Sequence, residues 1–415
     1  MTETLSLKRM ACVACTKAKR RCSKQTPACR RCIEKKAVCR YPARRRTPPY
    51  HLVFSQEGVV TTIPTHESDQ KALQDRISGF EGQGMQGNTV ATQRPTNTSC
   101  AYLLKSPWFL CPLSWEIDHS DDLTSQINFS DAALTYYIDK LQSWLKQWTA
   151  EGRCPFIHSS LYQVHLPDCI QDVFTTLAAY QSRTPATMKM VLRIVEQRAN
   201  RLVEEHTPVP DELGVIMLDP AAHLARTQAL LIYKIIRLFD GDIRARAQAE
   251  AHIDILSQWA RQLWQSAQLA VSLGQTKGAP DQDADGLVRL QLRAGENLAS
   301  IWRAWGFAES IRRTYLTATL TEAVFQTLKQ GWAPCPGGIT FTAAKGMWDA
   351  PHPLAWLDEF RLGGVITIQC IEGYRLFGEA LPCDVDEFTH ATLIVSYGLE
   401  RFEEWSTKGK DEWSV

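Results

Sequence analysis

The sequence predicts three parts in order: a small cysteine-rich head at the N-terminus, a disordered linker, and a mostly all-α body. Three observations carry this division. Six of the chain's 13 cysteines fall between Cys12 and Cys39. Residues 51–99 show no sustained hydrophobic period. From about residue 100 onward, apolar residues recur at the spacing of one helix face.

The chain has 415 residues, 44% of them hydrophobic and 22% charged, the composition of an ordinary globular protein. No stretch reaches the ~18 uninterrupted apolar residues of a membrane span. The opening MTETLSLKRMAC lacks the apolar run of a secretory signal, so an oxidising compartment is not expected. The cysteines are therefore thiols or metal ligands before they are disulfides. A net charge of +1 conceals an asymmetry. Residues 1–50 carry 15 Lys and Arg against Glu3 and Glu34, a net of +13, while the rest of the chain is at −12. A basic head on an acidic body points the head, and not the body, toward a polyanion.

Within the head the spacing is C-x2-C-x6-C-x6-C-x2-C-x6-C, from Cys12, Cys15, Cys22, Cys29, Cys32 and Cys39. Shifting the first three by 17 residues gives the last three, so the segment is a short internal repeat, and Lys19 maps onto Lys36. A closed structural zinc site takes four ligands, and two such sites need eight ligand positions. Six thiolates fill eight positions if two of them bridge both metals. The repeat therefore predicts a metal-stabilised binuclear cluster holding two Zn2+ ions. A disulfide knot, one zinc with spare thiols, and a redox C-x-x-C pair are the competing readings, and the compartment, the spacing and the charges count against them. A segment this short cannot bury a useful apolar core, so metal must supply most of its folding free energy.

This spacing resembles the fungal-type Zn(2)-Cys(6) binuclear cluster of transcription regulators, at all six cysteines. Pro27 stands between the halves where that family usually has a proline. The resemblance implies that Cys12 and Cys29 bridge, with Cys15 and Cys22 terminal on one ion and Cys32 and Cys39 on the other. It also implies a first helix that enters the DNA major groove facing a CGG triplet. Lys19 matches the lysine that reads those guanines, whose N7 and O6 accept from a Lys or Arg donor. Lys17, Arg20, Arg21 and Lys24 are placed for phosphate contacts, which fix register but carry no sequence information. Arg30, Arg31, Lys35 and Lys36 are further phosphate candidates. A solvated basic face, or a nuclear import signal alone, is the bland alternative for TKAKRR.

Past the cluster, RYPARRRTPPY places Arg44, Arg45 and Arg46 between prolines that favour an extended course. This arm suits the DNA backbone and equally suits an import signal. The head with its arm spans residues 1–50 and the linker 51–99. The linker's Gly, Gln, Thr and Asn cannot bury enough apolar surface to order it. Many members of the family carry a coiled coil here. In this chain Leu73, Ile77 and Phe80 offer barely one heptad, short of the three or four that a coiled coil needs, so a homodimer is left open.

The body spans 100–415. In SDAALTYYIDKLQSWLKQWTAEG, Ser130 is an N-cap and Leu134, Tyr137, Ile138, Leu141, Leu145 and Trp148 form one helix face. Pro167, Pro185 and Pro220 each mark a helix start. Long helical stretches follow at 242–273 and 287–330. Trp144, Trp148, Trp259, Trp264, Trp302 and Trp305 are expected to pack the core, with a pocket for a small-molecule inducer as the sharper alternative. Cys100, Cys111, Cys154, Cys169, Cys335, Cys370 and Cys383 are expected as buried small apolar residues. Ala308–Gly331 and Phe341–Trp356 are similar to stretches in the C-terminal regions of fungal cluster regulators, many of which control secondary-metabolite gene clusters. The acidic and aromatic tail LERFEEWSTKGKDEWSV suits either coactivator recruitment or a frayed terminal helix.

No HExxH, GxxxxGK[ST] or GxSxG occurs, and no histidine pairs with Cys or carboxylates at ligand spacing. An enzyme is not expected. The expectation is a nuclear, sequence-specific transcription factor whose partners are double-stranded DNA with CGG triplets and transcriptional coactivators, with no membrane. A zinc-dependent protein-interaction module, or a metabolite-binding regulator of primary metabolism with the same head, is the alternative.

Overall fold

In a computed structural model the chain divides into two compact units, Met1–Pro48 and Pro49–Val415. The structure describes residues 15, 17, 18, 20, 22, 23, 29–35 and 39 of the first unit. In the second it describes 53, 54, 60, 61, 107–117, 130–206, 218–274, 297–335, 337–363 and 365–411.

In the first unit a short helix, α1 (Arg30–Glu34), follows Cys29 as its N-cap. The backbone N–H groups of Cys32 and Ile33 donate to the Cys29 carbonyl at 2.9 and 3.1 Å. This turn sets Cys29 and Cys32 on one side. Cys15 and Lys17 are also helical, and Arg20 N donates to the Cys15 carbonyl at 3.0 Å. The buried residues described here are cysteines, with Cys22 and Cys39 packed against them.

The second unit is helical with two minor strand pairs. Val53–Phe54 (β1) and Val60–Thr61 (β2) pair antiparallel, and the remainder of the expected linker lies outside the described residues. Helix α2 (Asp131–Glu151) begins at Ser130, whose Oγ accepts from Ala133 N at 3.3 Å, and ends at Gly152 with φ 70. Its expected face is buried apart from half-buried Ile138, and Ala133 and Trp144 join it. Helix α3 (Asp168–Gln181) is capped by Pro167. Helix α4 (Met188–His206) begins three residues after Pro185, which lies in a turn closed by Thr184 and Thr187. Helix α5 (Pro220–Phe239) has Pro220 in its first turn and Asp219 as its cap. The expected helix at 242–273 is two, α6 (Ile243–Ala251) and α7 (Ile253–Gly274), broken at His252. Helix α8 (Leu298–Gln330) runs from the Asn297 cap to Gly331 at φ 85, and 287–296 lies outside the described residues.

Beyond α8, β3 (Thr340–Thr342) pairs antiparallel with β4 (Thr367–Gln369), Phe341 opposite Ile368, around helix α9 (Pro353–Gly363). Helices α10 (Leu376–Glu379), α11 (Glu387–Tyr397) and α12 (Leu399–Asp411) close the chain. These strands amend the all-α expectation only slightly.

Helices α5 and α8 form the spine of the body. Both are buried along most of their length, so Arg226, Lys234 and Arg237 on α5 and Glu309, Arg312 and Arg313 on α8 sit inside. On α8, Arg313 donates to Asp386 Oδ2 at 2.5 Å and to the Thr342 carbonyl at 2.8 Å, and lies 3.5 Å from Glu309. Arg312 donates to the Phe109 carbonyl and Ser114 Oγ, both at 2.8 Å. Glu309 accepts from Thr342 N at 2.7 Å. Buried charge is costly unless it is paired and hydrogen-bonded in this way. The network pins α8 to β3, to the cap of α11 and to the turns at Trp108–Leu110 and Pro112–Trp115.

The six expected core tryptophans are all buried. Trp302 and Trp305 flank buried His158 with ring centroids at 5.3 and 5.6 Å. Cys111 and Cys154 are buried as expected. Cys169 and Cys335 are only partly so, and Cys383 is exposed on a 3-10 turn. Cys100 and the Cys370 side chain lie outside the described residues. In α12, Trp405 is buried and donates to the Ala380 carbonyl at 3.0 Å, while Phe402 packs edge-on to His390. Phe402 and Trp405 are thus committed to packing. Trp413 lies outside the described residues. Among the described residues no helix is long and apolar enough to cross a membrane.

Candidate metal centre and nucleic-acid interface

The sulfur atoms of Cys15, Cys29 and Cys32 all lie within 4.8 Å of one another, and all three residues are buried. Cys15 Sγ and Cys29 Sγ are 3.6 Å apart. A disulfide needs about 2.05 Å, so this pair is not one. Two thiolates on one tetrahedral zinc, each about 2.3 Å from it, lie ~3.8 Å apart. The observed spacing fits a shared ion.

The surroundings suit thiolates. Arg31 Nη1 donates to Cys15 Sγ at 3.7 Å, and the backbone N–H of Cys29 donates to Cys39 Sγ at 3.2 Å. Donors of this kind hold the charged form of sulfur. Cys29 belongs to the second half of the repeat and Cys15 to the first, so the cluster joins the halves. Ser23 Oγ accepts from Arg30 N at 2.9 Å and ties them again. Cys22 and Cys39 are half-buried against the three central cysteines. Cys12 lies outside the described residues.

Of the cations expected to meet DNA, Lys17 and Arg20 are exposed. Lys19, Arg21, Lys24, Lys36, Arg44, Arg45 and Arg46 lie outside the described residues. Arg30 is exposed but holds Glu34 at 3.0 Å across one helical turn. Arg31, a phosphate candidate by sequence, is half-buried with one donor turned to sulfur. Nothing in the repeat marks it, because the shift of 17 sets Arg31 opposite Ala14.

A short segment whose described buried residues are all cysteines, with a basic exterior, defines a metal-thiolate DNA-binding head. Residues 10–48 match the fungal Zn(2)-Cys(6) binuclear cluster domain, which holds two zinc ions. Over 425 aligned positions the chain is 27% identical to transcription factor gsfR2 of Penicillium aethiopicum, covering 96% of this chain and 95% of that protein. No solved structure matches the chain. The head is thus a domain of the fungal Zn(2)-Cys(6) type, and the chain along nearly its whole length is similar to a transcription factor.

Proposed function

We propose that residues 1–50 bind double-stranded DNA at CGG-containing sites, and that the body at 100–415 governs transcription across a linker at 51–99. The observation that carries this is the sulfur cluster, closed to 3.6 Å between the two halves, in a unit whose exterior presents Lys17 and Arg20. Zinc, when bound, supplies a rigid tetrahedral frame that the few apolar side chains of the head cannot.

In this scheme the six cysteines would hold the two zinc ions, Cys12 and Cys29 being shared between them, Cys15 and Cys22 serving one and Cys32 and Cys39 the other. Lys19 donates to guanine N7 and O6. Lys17, Arg20, Arg21 and Lys24 neutralise phosphates and set the register, and Arg44, Arg45 and Arg46 follow the backbone onward. The chain acts in the nucleus, on genes transcribed by RNA polymerase II. Its likeness along nearly its whole length to a Penicillium transcription factor, and the two C-terminal stretches similar to those of cluster regulators, support control of a secondary-metabolite gene cluster. Coactivator contact falls to the body, through surfaces other than the packed aromatic residues of α12. A second copy on DNA would need contacts beyond the single heptad at Leu73, Ile77 and Phe80.

Titration of full-length protein onto CGG-bearing and scrambled duplexes at several salt concentrations tests this. The expected result is a preference of about 10³ or more for CGG and steep salt dependence. Equal affinity for both duplexes would refute CGG recognition. The stoichiometry on one duplex settles the dimer.

A further inference from the structure

Helix α5 buries three cations: Arg226, which is held by His223 and Gln262, and Lys234 and Arg237, one turn apart on the same face and exposed by only 2% and 1%. Neither of the last two has an ion pair within 4.0 Å among the described residues. Lys234 makes no hydrogen bond there. Arg237 reaches only His252, Nη1 to Nδ1, at 3.5 Å. Its Nε and Nη2 are buried without an acceptor. These two nitrogens bear the hydrogens of one edge of the guanidinium, the edge that takes two oxygens of a carboxylate or phosphate at once.

The acids facing this point do not neutralise it. Glu322 on α8 and Asp254 on α7 attract Lys234, and Glu196 on α4 attracts Arg237, all from beyond ion-pair distance. Glu322 is engaged by Ser257 and by Gln326 at 3.1 Å. Glu196 accepts from Gln248 at 2.5 Å and lies 3.6 Å from Arg244. His252 offers no negative charge. Burial, then Arg237 and Lys234, push its pKa down and keep it neutral. Burial likewise lowers Lys234 to about 8 and Arg237 to about 10, so each cation is held at a cost. The same protein treats buried charge differently on α8, where Arg312 and Arg313 share Glu309 and Asp386. Two adjacent buried cations left without an anion are incomplete in the way a ligand site is.

We propose that Lys234 and Arg237 form a buried binding site for a small oxyanion, a carboxylate or phosphate, through which the body senses an anionic effector. Arg237 grips two oxygens through Nε and Nη2, and the Lys234 ammonium takes a third contact. The site lies where α5, α6 and α7 meet, beside the small apolar cluster of Leu238, Ala249 and Phe325. It stands apart from the head and does not rest on the DNA-binding scheme.

All 13 tryptophans lie beyond residue 100, so tryptophan fluorescence follows unfolding of the body alone. Full-length protein is melted in potassium chloride with inorganic phosphate or acetate added at matched ionic strength. The expected result is a saturable rise in Tm. Saturation by phosphate alone identifies a phosphate-bearing effector, and saturation by acetate as well identifies a carboxylate. The Lys234→Met/Arg237→Met double variant keeps only the general, unsaturable salt effect. Arg237→Lys keeps the charge but loses the two-pronged edge, and its half-saturating concentration rises about tenfold. Lys234→Met without added oxyanion melts at or above the parent protein, since it removes an uncompensated charge. Identical anion responses in the parent and double variant, or no response in the parent, overturn the proposal. So does a Lys234→Met protein that melts well below its parent.

Discussion

The two units solve the problem of holding a fold in opposite ways. The head's described interior is sulfur, and what would be its core is a ring of thiols 3.6 to 4.8 Å apart. The body buries one continuous apolar cluster from Phe109 to Trp405 and adds paired charges on α8. A segment of about 40 residues buries too little apolar surface to fold alone, whereas one of more than 300 does not need metal. The head's stability therefore depends on chemistry that a chelator or a single substitution can remove. The body's depends on many contacts, each worth about 1–3 kcal/mol. The two should fail independently, and that independence can be broken by experiment.

Cys15→Ala gives the largest expected effect. Structural zinc contributes about 10–16 kcal/mol in small finger peptides, far more than the head can replace. The variant should hold fewer than two zinc ions per chain by metal analysis and lose specific DNA binding, while its tryptophan-monitored melting stays at the parent value. Chelator treatment of the parent protein should reproduce the same split. Retention of both zinc ions by Cys15→Ala would sink the cluster assignment, and a simultaneous fall in the body's Tm would sink the independence.

The converse experiment is Asp386→Ala. Asp386 pairs with buried Arg313 and caps α11 through Thr389 N at 2.9 Å. Removing one partner of a buried pair costs about 3–5 kcal/mol, because the other charge stays behind unpaired. Thermal melting should show a large loss in the body, with zinc content and the head's DNA affinity unchanged. A Tm within a degree or two of the parent would mean that the network contributes little.

What the sequence revealed follows the same division. The cysteine repeat was fully legible, because metal ligation demands particular residues at particular spacings. Helix starts such as Ser130 and Pro220 were legible too, since they act on neighbours in sequence. The interior of the body was not. A periodic pattern finds helices with one wet face, and α5 and α8 have almost none. Nothing in the stretch Ala308–Gly331 marks Glu309, Arg312 and Arg313 locally, yet they are the buried knot of the fold. Lys234 and Arg237 were equally invisible, because burial of a charge is decided by distant segments. Gly306 gave no signal either, although a Cβ there would lie 2.5 Å from His158 Nδ1.

That glycine and histidine provide a smaller test. Gly306→Ala should cost about 1–3 kcal/mol by overpacking, read as a lower Tm of the body. His158 is buried among Trp302, Trp305 and Trp348. Burial, followed by Arg313 and Arg153, depresses its pKa to about 3 from an ordinary 6.5. Unfolded chains therefore bind a proton that the folded body refuses. The contribution is intact above pH 6.5 and is lost as pH falls toward about 3. His158→Gln should flatten that part of the body's Tm against pH, and an unchanged profile would remove His158 from the account of acid sensitivity.

The smallest expected effects concern the face of the head. Lys17 and Arg20 are exposed, so replacing either with alanine should leave zinc content and both melting transitions alone. Each substitution should weaken CGG and scrambled duplexes alike and reduce the slope of log affinity against log salt by about 1. Lys19→Ala should instead lose about 1–3 kcal/mol on CGG alone, narrowing the gap between the duplexes with little change in slope. The contrast between these variants separates positioning from reading. If Lys19→Ala weakened both duplexes equally, the head would be a polyanion binder, and its selectivity would have to come from elsewhere in the chain.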